Sequence, residues 1–475
     1  MTMPENYTEN CRKIFEKLLP AERIHFEGEV MGFFSKDETE DLCFRPWVVA
    51  EPESVEEVSS LVRAAFDNDI PVTPGGARTG LSGGALAVNG GLVLSLRRMN
   101  RILNIDLKNN QVVVEPGVIT EVLQNAVEEK GLFYAVDPAS KGTCTIGGNL
   151  AENSGGPRAV KYGVTKDWVL NLQVVLADGQ VIETGANTLK NSTGYNLTAL
   201  MVGSEGTLGV ITRATLKLLP LPKFSALMFV PFRNVSDACR TVSEIFLSGE
   251  TPSALEFMES DAMVMTQEFT GNKEIRLDPD DEAYLLIEVD GANEEEIMPQ
   301  CERILSVLEL QSAGEVLFAQ SSDEKDKLWF LRRRVGEAVK ASSVYKEEDT
   351  VVPRARLPQL MSAVKSLGDE YGFRSICYGH AGDGNLHINI LRDDLSEEMW
   401  AEVLPVAIRK LFTEVVALGG TLSGEHGIGF VQKEYMDIAL SPPNLLIQRG
   451  IKDVFDPKGI LNPGKIFPNE SHERV

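Results

Sequence analysis

Five histidines occur in the 475 residues, and three of them fall within two glycine-rich segments, GHAGDGNLHIN and SGEHGIG. The first segment holds His380 and His387; the second holds Glu425 and His426. If His387 lies on a strand through HINI, Asn389 shares its face, because strand side chains alternate. Two imidazoles and one carboxylate suit Zn2+ or a similar divalent ion. So small a set leaves coordination positions open, as a catalytic site requires. A loop histidine taken singly is commonly a hydrogen-bonded filler. The flanking glycines favour a ligand, since small neighbours let one approach the backbone. Spacing leaves both readings open.

A second chemistry lies in the glycine loops. Pro74 to Gly84, PGGARTGLSGG, places five glycines between the apolar runs IPVTP and LVLSL. Glycine lets backbone N–H groups converge on an anion and form a nest for phosphate. Gly142 to Gly156 (GTCTIGGNLAENSGG) and Gly203 to Thr212 (GSEGTLGVIT) have the same character. Any one such loop reads equally as a tight turn. Three of them in one region point to a long diphosphate ligand. None has the G-x-G-x-x-G spacing opening a βαβ helix, and none ends in Gly-Lys-Ser/Thr, so Rossmann and P-loop sites are excluded.

A third feature is a cation on an apolar stripe. Leu328, Leu331, Val335, Ala338 and Val339 recur at helical spacing. Arg332 falls within their stripe, Arg333 points away and Arg334 sits at the edge. An inward guanidinium must be paired. Its partner is either an acidic core residue or a substrate carboxylate, which a guanidinium binds in bidentate fashion. Periodicity does not choose between them.

These groups need a scaffold. The pattern predicts a first helix over about 9–19 and a core beginning near Phe44. Ser54 and Glu57 read as a capping box opening a helix that turns Val55, Val58, Leu61, Val62, Ala65 and Phe66 inward. LNLQVVLADGQVIETG predicts a hairpin with Asp178–Gly179 at positive φ. The prolines of LLPLPK break regular structure near 218–223. Beyond them strands and helices alternate in a way that fits an antiparallel sheet covered by helices on one face, an α+β domain.

Composition narrows the function. With 46 Lys+Arg against 70 Asp+Glu, the net charge of −24 disfavours nucleic acid and anionic membrane surfaces. The six cysteines lack the spacing of zinc or iron–sulfur sites, and no apolar run reaches membrane-spanning length, so a cytoplasmic protein without membrane insertion is expected. At this length two or three domains are expected.

Taken together, PGGARTGLSGGA, KGTCTIGGNLAENSGG, KYG at Lys161, VGSEGTLGVIT, GHAGDGNLH, SGEHGIG and FDPKGILNPGK resemble the FAD-binding domains of the vanillyl-alcohol-oxidase/p-cresol-methylhydroxylase type. More narrowly, they resemble the D-lactate, glycolate and D-2-hydroxyglutarate dehydrogenase branch. The resemblance spans Phe44 to Phe467. It implies a two-subdomain FAD-binding domain over 44–222, with a helical extension before it (1–43). A substrate domain over 223–440 would carry the metal site, and 441–475 would return to the FAD domain.

It also implies FAD contacts from Pro74, Gly75, Gly76, Ala77, Arg78, Thr79, Gly80 and Ser82, with the pyrophosphate on Gly75 to Gly80. The flavin would lie under the second loop, contacted by Pro138, Gly142, Thr143, Thr145, Gly147, Gly148, Asn149, Asn153, Ser154 and Gly155. Glu205, Gly206, Val210, Ile211 and Asn462 would complete the set. Relatives that tether FAD often carry a His in the first loop; Arg78 and Thr79 stand here, so FAD is expected to be non-covalent.

The resemblance makes His380, His387 and Glu425 ligands of a divalent metal, with zinc expected and manganese or iron as alternatives. His426 becomes the base, Arg332 the carboxylate anchor, and Asn389 and Lys346 further substrate contacts. Two departures stand out. Gly336 replaces a Thr one turn after the Arg, and Lys346 is one residue out of step with the branch's substrate Lys. Both contacts serve a dicarboxylic substrate, so oxidation of a smaller acid, D-lactate or glycolate, is expected. D-2-hydroxyglutarate oxidation and a non-catalytic FAD subunit of a glycolate oxidase are the alternatives. Expected partners are an electron-transfer flavoprotein or an iron–sulfur subunit, and a second copy in a homodimer.

Overall fold

The apolar runs Val48–Ala50 and Leu92–Ser95 pair in parallel at the centre of a four-stranded sheet, flanked by Ile24–His25 and Val72–Gly75. The helix Val55–Asp67 buries Val58, Leu61, Val62 and Ala65 in the core of this sheet. Ser54 Oγ accepts the Glu57 N–H, but the Glu57 carboxylate turns to Arg23 and the Glu53 N–H instead of closing a capping box. A five-stranded antiparallel sheet follows, in the order 102–106, 111–114, 210–217, 169–175 and 181–183. The expected hairpin joins its last two strands. Only Gly179 in that turn has positive φ (81°); Asp178 instead accepts the Gln180 N–H with its side chain.

This computed structural model describes residues 5–319 and 321–469. The chain divides into two compact units. The first runs up to Gly155 and includes Val164–Pro220 and the chain from Glu425; the second is Gly156–Gly163 with Leu221–Gly424. The boundary expected at 222 falls at Pro220/Leu221, while the units do not divide at 43 or 440, for local reasons. Cys11, Phe15 and Leu19 pack into the first unit's core, so the N-terminal helix Glu5–Phe15 is not a separate extension. Lys161 and Tyr162 both bind the Asp290 carboxylate, which commits their segment to the second unit. The N–H groups of Ile428 and Gly429 donate to the Glu205 carboxylate, which commits theirs to the first.

The second unit is built on a seven-stranded sheet. In chain order its strands are β1 (Phe224–Phe232), β2 (Ala254–Glu259), β3 (Ala283–Gly291), β4 (Leu317–Ala319), β5 (Tyr345–Val351), β6 (Arg374–Gly379) and β7 (Asn385–Leu391). They pair antiparallel in the order β4-β1-β3-β2-β6-β7-β5. Helices cover both faces, not one. The helix Ser322–Ser342 sets Leu328, Leu331, Val335 and Val339 against Phe229, Met258, Leu286 and Ile376 on one face, together with Ala262 and Met263 of the helix Ser260–Thr270. The other face carries Val235–Leu247 and Leu357–Tyr371, the latter sending Lys365 to Ser375 and Glu259.

Leu331 is wholly buried in the larger of these helix contacts. Leu331→Ala should lower the unfolding free energy of the second unit by about 2–5 kcal/mol, read from urea denaturation. A loss well below that range would show that the helix stripe is not the packed face.

Candidate active site

Four adjacent strands of the second unit, β2, β6, β7 and β5, line up polar side chains on one face. Register fixes which ones. Met258 pairs with Tyr378, Tyr378 with His387, and His387 with Asp349; Asn389 pairs with Ile376 and Glu347. Period-two alternation therefore puts Glu256, Tyr378, His387, Asn389, Glu347 and Asp349 on the same side. His380 follows β6 directly, in the tight connection to β7. That connection depends on Gly379, whose φ is +155° and where a Cβ would lie 2.7 Å from the Asn385 carbonyl oxygen. The His380 and His387 rings stand edge to face with centroids 5.4 Å apart, both buried. Each offers a ring nitrogen within 4.8 Å of the other's.

The helix Ser322–Ser342 brings Arg332 to this face, where its guanidinium lies 5.3 Å from the Tyr378 ring centroid. Glu256 stands between Arg332 and His380. Its Oε2 is 2.6 Å from Arg332 Nη2, and both its oxygens are 2.9 Å from His380 Nδ1. Burial alone would push this carboxyl up, but His380 and Arg332 outweigh burial and hold it below its ordinary range. The acidic core partner that periodicity allowed for Arg332 is therefore present. Even so, the buried Arg332 keeps an Nε–H with no hydrogen-bond acceptor among the described residues.

Sequence reasoning passed over Glu256 although a signal existed. One carboxylate in the apolar run SALEFM must find a cationic partner when the strand is buried. It also passed over Glu347, whose carboxylate is 3.4 Å from His387 Nδ1. Lys346, expected to contact substrate, is corrected by parity. It pairs with Ile390, so its side chain belongs to the opposite face of the sheet from His387 and Asn389.

The glycine loops lie in the first unit and are tied to one another. Asn462, at φ +39°, donates from Nδ2 to the carbonyls of Gly84 and Glu205, joining the first and third loops. Gly203 and Glu205 donate N–H groups to Leu150 and Ala151, joining the third to the second. Gly76 packs against Thr145: a Cβ there would be 2.5 Å from Thr145 Oγ1. Thr145 caps the helix Ile146–Glu152, which carries Gly147, Gly148 and Asn149 and ends at Asn153 in the left-handed region. Ser82 Oγ is buried with no partner among the described residues, as suits a loop that awaits an anionic ligand. Arg78, at φ +66°, commits Nε and Nη1 to the carbonyls of Lys36 and Ala85, while its buried Nη2 has no partner among the described residues. Val210 and Ile211 start a buried strand. Burial pulls the Lys465 ammonium down to about 8, against the opposing pull of the Glu205, Asp37 and Glu152 carboxyls.

Glu425 and His426 belong to the first unit. Gly424, the last residue of the second, donates its N–H to the Asp349 carboxylate at 2.8 Å, and Asp349 is the strand partner of His387. The peptide that delivers Glu425 thus starts from the histidine strand's neighbour. Within the first unit the Glu425 carboxylate lies by Gly155, where a Cβ would be 3.0 Å from its Oε2.

Family models described as "FAD binding domain" and "FAD linked oxidases, C-terminal domain" match residues 46–185 and 221–466. Among curated relatives, a D-lactate dehydrogenase of Anaerostipes hadrus is 41% identical over 95% of this chain and 96% of its own. The glycolate oxidase subunit GlcD of Bacillus subtilis is 38% identical over 93% of each chain. A D-2-hydroxyglutarate dehydrogenase of Xanthomonas citri pv. viticola is 35% identical over 96% of each. The fold matches p-cresol methylhydroxylase with a TM-score of 0.80 at 17% identity, covering 98% of this chain and 97% of that one. The chain belongs to the FAD-linked oxidases, in the group of D-lactate, glycolate and D-2-hydroxyglutarate dehydrogenases. Among the described residues no helix is long and apolar enough to cross a membrane.

Asn462→Ala would leave the Gly84 and Glu205 carbonyls without their shared donor, at about 1–3 kcal/mol each. The dissociation constant for FAD, measured by reconstituting apoprotein, should rise at least about tenfold. Unchanged affinity would show that the tie between these loops is not what shapes the cofactor site.

Proposed function

We propose that this chain oxidises a small D-2-hydroxy acid, D-lactate or glycolate, to the 2-oxo acid. It would use non-covalent FAD and a divalent cation, Zn2+ or else Mn2+ or Fe2+, held by His380, His387 and Glu425. Arg332 carries the reading. A buried guanidinium with a spare donor, on the face that holds His387 and Asn389, calls for an anion with two oxygens. The donor set fits a cation as well, since Glu256 holds His380 Nδ1 and turns Nε2 to the ligand side.

When bound, the cation would supply Lewis acidity toward the substrate hydroxyl and the flavin would supply a hydride-accepting ring. Arg332 holds the carboxylate and Asn389 orients the acid. His426 takes the hydroxyl proton as general base. An electron-transfer flavoprotein or an iron–sulfur subunit would be the electron acceptor.

Three observations favour a short acid. A Cβ on Gly336 would lie 3.1 Å from the Tyr378 hydroxyl, so the phenol already occupies that space. Glu347 stands on the active face, where it would repel a distal carboxylate. Lys346, which could attract one, belongs to the other face. The relatives named D-lactate dehydrogenase and glycolate oxidase subunit are consistent with this choice.

Anaerobic mixing with D-lactate, L-lactate, glycolate and D-2-hydroxyglutarate tests it. D-lactate or glycolate should bleach the flavin fastest. Fastest bleaching by D-2-hydroxyglutarate or by L-lactate would overturn the substrate or the stereochemistry. His426→Ala should slow bleaching by about a hundredfold or more while FAD stays bound; an unchanged rate would remove it as the base. Acid precipitation should leave all the yellow colour in the supernatant, whereas flavin retained in the pellet would show a covalent link.

A further inference from the structure

The second unit contains one carboxylate that serves both halves of this site at once. Glu256 has no exposed surface. It lies on β2, meets His380 at the end of the neighbouring strand β6, and meets Arg332 from the covering helix. A buried carboxylate held only for packing needs one cationic partner; this one touches the expected metal ligand and the expected substrate anchor together.

The consequences are geometric. With Glu256 accepting at Nδ1, His380 carries its proton there, so Nε2 is the nitrogen with a lone pair for a cation. Glu256 Oε2 pairs with the guanidinium by charge at Nη2, over Tyr378, while both Nε and Nη2 keep no hydrogen-bond acceptor among the described residues, so both stay available to another acceptor. Displacing either partner would leave Glu256 facing the other alone in a buried setting, which is costly. Each partner therefore depends on the other being in place.

We propose that Glu256 is the positioning residue that couples cation binding at His380 to carboxylate binding at Arg332. This rests on the proposed function and adds a thermodynamic link between the two ligands. Linkage requires the effect to be reciprocal: a carboxylate ligand tightens Zn2+ binding by the same factor as Zn2+ tightens the carboxylate.

The test uses the FAD-loaded protein and two probes, Zn2+ titrated against a chelator and oxamate followed by the flavin spectrum. Wild-type protein should bind Zn2+ more tightly when oxamate is present. Glu256→Gln, which keeps the shape and an acceptor oxygen, should weaken Zn2+ about tenfold and shrink the mutual enhancement. Glu256→Ala should weaken it towards a hundredfold and abolish the enhancement. If Glu256→Ala does not fold, the isosteric Gln variant decides. Zn2+ affinity and enhancement within twofold of wild type, in a folded variant with full FAD, would overturn the coupling and leave the proposed function standing. Wild-type protein that binds Zn2+ without any enhancement by oxamate would do the same. Wild-type protein that binds none of Zn2+, Mn2+ and Fe2+ would overturn both.

Discussion

A carboxylate with no access to water has to be satisfied by its neighbours, and Glu256 is satisfied from two sides, by the Arg332 charge and the His380 Nδ1–H. That requirement orders much of the second unit. The strand order sets β2 beside β6, so the residue that ends the β6 connection, His380, can reach it. The helix Ser322–Ser342 must lie with Arg332 inward, which in turn aligns Leu328, Leu331 and Val335 with the sheet. Gly379 must stay bare for the chain to turn tightly enough to put His387 beside His380. Chemistry and packing here are the same constraint seen from two sides.

The first unit meets a different demand, which is to hold three irregular backbone stretches in one arrangement. It does so by hydrogen bonds among loops. Asn462 spans the first and third, the N–H groups of Gly203 and Glu205 reach the second, and the Glu205 carboxylate takes the N–H groups of Ile428 and Gly429. The segment that carries Glu425 and His426 is therefore clamped to the third glycine loop through Glu205. The glycine loop of Glu205 and the turn after His426 are stabilised by shared bonds inside one unit.

Features that follow from a period were legible in the sequence. The helical stripe placed Arg332 inward, and strand alternation put His387 and Asn389 on one face, as the register has it. Motif order gave the family. Features that depend on which strands become neighbours were not legible. Glu256 sits in a run whose apolar character hid it, and its partners come from segments 76 and 124 residues further along. Lys346 was placed by alignment to a motif, and a one-residue offset in a strand carries a side chain to the other face. Helices on both faces of the sheet could not be read from alternation alone, because strand–helix order does not say to which side each crossover turns.

The central claim is that one sheet face holds a cation at its histidines and a carboxylate at its arginine. Anomalous diffraction at the zinc edge, from crystals of the FAD-loaded protein grown with Zn2+ and oxamate, tests it most directly. The account predicts a single strong peak about 2 Å from His380 Nε2 and from a ring nitrogen of His387, with the oxamate carboxylate on Arg332. No peak at those imidazoles, or a carboxylate bound away from Arg332, would contradict it.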